Sequence, residues 1–234
     1  MVRHFLLGIE NGILERLPPV QVQDTQGVWR REATYPPTDA QPLRLALAQE
    51  ALVPGEPGEL GLAFRENTEA YASSNTRLDL PEVDLGVPTS LTFTSAPLAE
   101  PLHWGGWPTL ALRVRADMDD AHLAALLLDV APDGTATWVN RGYLSLRHRD
   151  GVEAPAPVPV GEPLDVVVRF FPGDTVIEEG HRVQLVLAAS DGWTMPQGNG
   201  VTLTVEQGTL ELPRIERDWA AVTLPVAFGP PVTS

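Results

Sequence analysis

The sequence predicts an all-β domain, a sandwich or jelly roll, on three observations. Short apolar runs rich in Val, Leu and Thr recur through the chain, 23 Pro and 20 Gly separate them, and only the first 17 residues show a helical period. At 234 residues the chain is long for one sandwich and short for two domains. One core of that size buries roughly 70% of the unfolded surface, so one domain with an ordered extension is expected.

Each element follows in order. In residues 1–17, Phe5, Leu6, Ile9 and Ile13 recur at helical spacing; Gly8 and Gly12 weaken the helix and Pro18-Pro19 ends it. Strands are expected at 20–23 and 28–33 around a turn at 24–27, then at 43–48. Residues 53–88 read as a long surface loop, with Pro-Gly-Glu-Pro-Gly at 54–58 and an aperiodic polar tract at 66–77. Strands then come regularly at 91–94, 109–115, 122–130, 137–146, 164–170, 181–189, 201–205 and 209–212. Runs 123–128 and, apart from Gln184, 183–189 are apolar on successive residues, which predicts central strands covered on both faces. Asp133-Gly134 and Asp191-Gly192 supply turn chemistry.

A formal charge of -15 repels phosphate backbones and anionic lipid headgroups, which argues against nucleic acid and membrane partners. No apolar run reaches the length of about 20 that spans a bilayer, and residues 1–17 lack the pattern of a secretory leader. The absence of Cys removes disulfides, thiolate nucleophiles and Cys-ligated zinc, and fits a cytoplasmic location.

Catalytic motifs are missing. An α/β-hydrolase nucleophile elbow needs G-x-S-x-G, and the glycines four apart, Gly8 and Gly12, enclose Glu10. There is no P-loop and no G-x-G-x-x-G. The histidines, at 4, 103, 122, 148 and 181, form no H-x-x-x-H pair, and each is read as a structural or exposed residue. Asp117, Asp119 and Asp120 carry calcium-ligand chemistry but lack EF-hand spacing, so a solvated turn is favoured. No catalytic, cofactor-binding or metal residue is assigned, and no cofactor is expected. Trp104 and Trp107 flank Gly105-Gly106, and Trp193 lies near Asp191 and Asn199. These three rings are the candidate ligand or partner surface, set against the plainer account that they cover the ends of the sandwich.

The run LLLDVAPDGTATWVNRGYLSLRHR at 126–149 resembles the C-terminal noncatalytic domain of X-Pro dipeptidyl-peptidases and of their relatives, the bacterial cocaine esterases and α-amino acid ester hydrolases. Three further blocks support it in the same order: LTFTSAPLAEPLHWGGWPTLALRV at 91–114, PGDTVIEEGHRVQLVLAAS at 172–190 and GTLELP at 208–213. RHFLLGIENGILERLPPVQV followed by GVWRREATYPP is similar to the join between the last hydrolase helix and the first strand of the β domain. The resemblance implies residues 1–19 as a remnant of that helix, 20–213 as a jelly-roll sandwich like galactose-binding domains, and 214–234 as a C-terminal extension. It also implies packing on an α/β-hydrolase domain or subunit and walling of its active-site entrance. The family's Ser, Asp and His lie upstream of the join, so none maps onto this chain. The tract at 66–85 departs from the family pattern.

The matched blocks make physical sense in themselves. Asp129 and Asp133 bracket a turn where carboxylates can accept backbone N–H groups, and Gly134 can take positive φ. Gly180-His181-Arg182 opens the next buried strand, and Arg182 is expected to pair with a carboxylate at the rim. These six are structural residues in this reading. The leading functional expectation is an accessory domain of a serine hydrolase, its helix free to meet a hydrolase or to self-associate. A carbohydrate-binding module is the alternative, and an active hydrolase with an unconventional site is the weakest of the three.

Overall fold

The computed structural model describes residues 6–10, 12, 20–68, 86–191 and 198–217. Fourteen strands are present among them: β1 (Val20–Gln23), β2 (Trp29–Glu32), β3 (Gln41–Ala48), β4 (Ala51–Pro54), β5 (Leu62–Arg65), β6 (Ser90–Ser95) and β7 (Leu102–Gly106). They continue as β8 (Thr109–Ala116), β9 (His122–Val130), β10 (Ala136–Ser145), β11 (Pro163–Arg169), β12 (Gly173–Ile177), β13 (Arg182–Ala188) and β14 (Thr202–Arg214).

β1 and β2 form a hairpin of their own, and the other twelve strands share one sheet in the order β10-β9-β13-β6-β4-β3-β14-β7-β12. β8 joins through β14, β11 through β8, and β5 through β14. Pairing is antiparallel except between β4 and β6. The sheet folds over itself into a nearly closed sandwich, and a bridge between Gly142 and Phe170 draws β10 against the end of β11. Gly142 permits that approach because a Cβ there would lie 2.6 Å from the Arg169 carbonyl oxygen.

The period-2 pattern builds the core. Leu110, Leu112 and Val114 of β8 point inward, with Thr109, Ala111 and Arg113 on the other face. Opposite lie Phe93 of β6, Leu123 and Leu127 of β9, and Leu185 and Leu187 of β13. β9 is covered on both faces over residues 123–128, as its unbroken apolar run predicts. β13 departs from that prediction: Val183, Leu185 and Leu187 are buried, while Arg182, Gln184 and Val186 between them are only half-buried. Both strands are central, β9 between β10 and β13 and β13 between β9 and β6, and the half-covered face of β13 is the one that carries the polar Arg182 and Gln184.

Other expectations are corrected by tertiary pairing. The loop predicted at 53–88 contains β5 and the end of β4, since β5 finds hydrogen-bond partners in β14. β7 and β12 were not expected; they pair with each other from Gly173 opposite Gly106 to Ile177 opposite Leu102. The strands predicted at 201–205 and 209–212 are one long β14, with an irregularity between Val205 and Gln207. A continuous helix over 1–17 is also overturned. Leu6 and Leu7 are helical, but Gly8 and Gly12 take φ of 64° and 65°, a left-handed conformation that stops an α-helix. The other residues of 1–17, the tract at 69–85 and the tail from 218 lie outside the described residues.

Candidate functional site

The hairpin is shaped locally by Asp24. Its Oδ1 accepts the backbone N–H groups of Gln26 (3.0 Å) and Val28 (2.8 Å), and Gly27 closes the turn at φ 83°. Strand alternation then turns Arg30 and Glu32 of β2 inward while Arg31 faces solvent. A face that would ordinarily carry apolar residues therefore brings two charges against the sandwich.

Those charges open an alternating ladder. The Arg30 guanidinium bonds both carboxylate oxygens of Asp174 in β12, through Nη1 at 2.8 Å and through Nη2. His103 Nε2 in β7 lies 2.7 Å from Asp174 Oδ1. Arg30 also stands 3.7 Å from Asp24 and 3.5 Å from Glu32. Glu32 in turn accepts from Arg217 Nη1 at 2.6 Å, and Arg217 makes a bidentate pair with Asp39. The order of sign from surface to interior is Asp39, Arg217, Glu32, Arg30, Asp174, with His103 at the inner end. The Arg30 side chain is 0% exposed and Asp174 2%.

Buried charge of this kind is tolerated only when each ion is paired and hydrogen-bonded. Desolvation lowers the His103 pKa below 6.5 against the opposing pull of Asp174, so the imidazole is neutral near pH 7. His103 Nε2 stands between Asp174 Oδ1 at 2.7 Å, which can only accept, and Arg30 Nη1 at 3.2 Å, which can only donate. Burial pushes Asp174 up, but its bonds to His103 and Arg30 outweigh that and hold it below 3.8. His103 and Asp174 have the make-up of a general-base pair, but with both side chains only 2% exposed no substrate can reach them. The ladder is a fastening.

Around it the packing is close. Tyr35 donates to the Gly173 carbonyl at 2.7 Å, and burial together with Asp174 pushes its pKa up to about 12. Its ring meets Trp107 at 5.6 Å between centroids. The Tyr35-Pro36 peptide is cis. Gly105 is needed because a Cβ there would fall 2.7 Å from Ile215 Cδ1 and 2.9 Å from Asp174 Oδ2. Thr25 caps the edge strand β12 by exchanging hydrogen bonds with the backbone of Val176 (3.0 and 3.2 Å), which covers an otherwise open edge.

The residues singled out in the sequence are dispersed. Trp104, a candidate for a ligand or partner surface, is fully buried in the core, because strand β7 turns it inward; Trp107 is 44% exposed. Trp193 lies outside the described residues. Asp129 accepts from His181 Nδ1 at 2.7 Å rather than from backbone. Asp133 accepts from Thr135 N at 2.8 Å, a bond that holds it below the usual carboxylate range. Gly134 and Gly180 take φ of 87° and 80°. Arg182, expected to pair with a carboxylate, instead donates to the Ser95 carbonyl at 2.9 Å, the strand end that its register in β13 brings alongside. Asp117 accepts from Thr202 N at 2.7 Å, and Asp120 stands 3.5 Å from Arg147. No cluster of metal-ligating side chains is present among the described residues. Sequence reasoning missed Arg30, Glu32, Asp39, Asp174 and Arg217. The signal available was parity, since W-R-R-E in a strand must turn two charges to one side.

The chain matches the model of one protein family, the X-Pro dipeptidyl-peptidase C-terminal non-catalytic domain, over residues 11–221. It belongs to that family. A Bacillus cereus protein named "Putative Xaa-Pro dipeptidyl-peptidase" is 27% identical over 217 residues, which cover 91% of this chain and 37% of that protein. The cocaine esterase of a Rhodococcus species is 27% identical over 101 residues, 43% of this chain and 18% of the esterase. Among solved structures, an aminopeptidase from a marine sediment thaumarchaeon superposes with a TM-score of 0.74 at 17% identity, over 92% of this chain and 43% of that one. An α-amino acid ester hydrolase gives 0.65 at 20% identity, over 85% and 41%. The chain thus spans little more than a third of the length of the Xaa-Pro dipeptidyl-peptidase relative, and this PepX-type C-terminal domain is the non-catalytic part by its family description. The carbohydrate-binding reading is not supported, since Trp104 is in the core and the family match is to the dipeptidyl-peptidase C-terminal domain. Self-association through an N-terminal helix falls with the helix. No helix among the described residues is long and apolar enough to cross a membrane.

Proposed function

We propose that this chain serves as the C-terminal β-sandwich domain of a longer serine α/β-hydrolase, a dipeptidyl-peptidase or acyl ester hydrolase, packing on the hydrolase domain and shaping its active-site entrance. The observation that carries this reading is the family match over residues 11–221 set beside a coverage of only 37% of the Bacillus cereus relative. The charge ladder supports it physically: the hairpin through which residues before 20 reach the sandwich is held rigidly, as a domain that must present one face to a neighbour requires. Within this proposal residues 1–19 belong to the join, 20–213 to the sandwich and 214–234 to an extension, and Asp129, Asp133, Gly134, Gly180, His181 and Arg182 are structural. A cytoplasmic location belongs to the same proposal.

The test is hydrolysis of a chromogenic Gly-Pro anilide and a short acyl ester. The purified chain alone is expected to turn over neither. Placed behind the hydrolase portion of the Bacillus cereus relative, in exchange for that protein's own matching region, it is expected to change KM more than kcat, because a wall at the entrance acts on substrate binding. Turnover by the chain alone, abolished by a serine-directed inhibitor, would overturn the reading.

A further inference from the structure

The exposed aromatic rings among the described residues are Trp107, packed on Tyr35 just after the β1–β2 hairpin, and Phe171, just before β12. Trp107 is 44% exposed and Phe171 55%, and no other described aromatic ring is comparably open. Each has aromatic company: Tyr35 lies 5.6 Å from Trp107, and Tyr143 meets Phe171 edge-on at 6.4 Å. The Arg141 guanidinium sits 4.8 Å over the Trp138 ring. Backbone hydrogen bonds place the segments that carry the two pairs side by side. Phe170 N donates to Pro108 O and Phe171 N to Arg141 O, both at 3.0 Å, while Tyr35 bonds Gly173 O.

Single exposed apolar side chains are normal on a soluble protein, but Trp, Tyr and Arg gathered in one place are the composition of an interface hot spot. Rings held by neighbours also lose little side-chain freedom when a partner covers them.

We propose that this band of two ring pairs is the seat of the hydrolase domain, a step that rests on the function proposed above. Two observations select that occupant. The Bacillus cereus relative carries well over half of its length outside the region matched here, and the family description makes the matched region C-terminal, so the rest precedes it. The hairpin that receives the chain from that side is fastened to the same edge that carries the band, through Thr25 to Val176, Arg30 to Asp174 and Tyr35 to Gly173. A preceding domain therefore emerges beside the aromatic strip.

Photo-cross-linking tests it. p-Benzoyl-phenylalanine is placed at position 107, at 171, or, as a control on the outer face of β11, at 167, where Val167 is 53% exposed. Each version is irradiated as the free chain and as the fusion behind the Bacillus cereus hydrolase portion, with thermal unfolding confirming that the sandwich is intact. Adducts from 107 and 171 into the hydrolase portion, and none from 167, are expected. Adducts from 167 alone would overturn the band while leaving the proposed function standing. Adducts from 107 and 171 between copies of the free chain, without any to the hydrolase portion, would make the band a self-association face. Absence of adducts to the hydrolase portion from all three positions would sink both proposals.

Discussion

The interior of the sandwich and the seam beneath the β1–β2 hairpin are both buried, yet they are held by opposite physics. Between β8 and β9 the contacts are apolar and non-directional, so a lost methyl group removes only its own share of packing. Under the hairpin Arg30, Asp174 and Glu32 are linked in sequence, and each is tolerable only while its neighbour stays in place. The comparison teaches that the first region resists gradually and the second fails abruptly.

The largest effect is expected from Asp174→Ala, which strands the Arg30 guanidinium in the interior. A loss of about 4 kcal/mol is expected, read as a lower urea midpoint. The comparison sharpens with Arg30→Met combined with Asp174→Leu, which should recover at least half of that loss because an apolar pair needs no partner. Failure to recover would mean that the ions contribute net stability of their own.

Leu127→Ala, at a fully buried position of β9, is expected to cost about 3 kcal/mol through transfer and cavity terms. Its hydrogen-exchange signature should spread over the whole sandwich, whereas Asp174→Ala should first free amides of residues 20–32. Equal patterns for the two would erase the distinction between regions.

Asp129→Ala removes the acceptor of His181 at a site 19% exposed, and about 1 kcal/mol is expected. An unchanged denaturation midpoint would remove Asp129 from the set of structural residues.

The smallest effect concerns pH. The folded His103 pKa lies below 6.5, so the unfolded chain takes up its proton first, and stability falls as pH drops through about 6.5. Asp174, also depressed, adds stability that is present above its unfolded value of 3.8 and is lost only below about pH 4. His103→Gln should flatten the dependence between pH 7 and 5 and leave the acid limb. An unaltered slope would exclude His103 as its source.

Legibility in the sequence followed the same division. β8 and β9 were readable because Leu110, Leu112 and Val114 alternate and residues 123–128 do not. β7 and β12 were not, because Gly105-Gly106 and Pro172-Gly173 look like turns; what keeps these segments extended is each other. The three tryptophans looked alike as sequence, yet β7 buries Trp104 while Trp107, past the strand's end, faces out. The ladder was the least legible, its members lying at 24, 30, 32, 39, 103, 174 and 217 with no common motif.

The sequence by itself determined the β class, the main core strands and the family resemblance, because period and composition are local properties that survive without coordinates. Which charges would be buried, and against whom, was decided only by tertiary structure. An ion enters the interior when oppositely charged groups from distant segments converge on it, and no local pattern records that convergence.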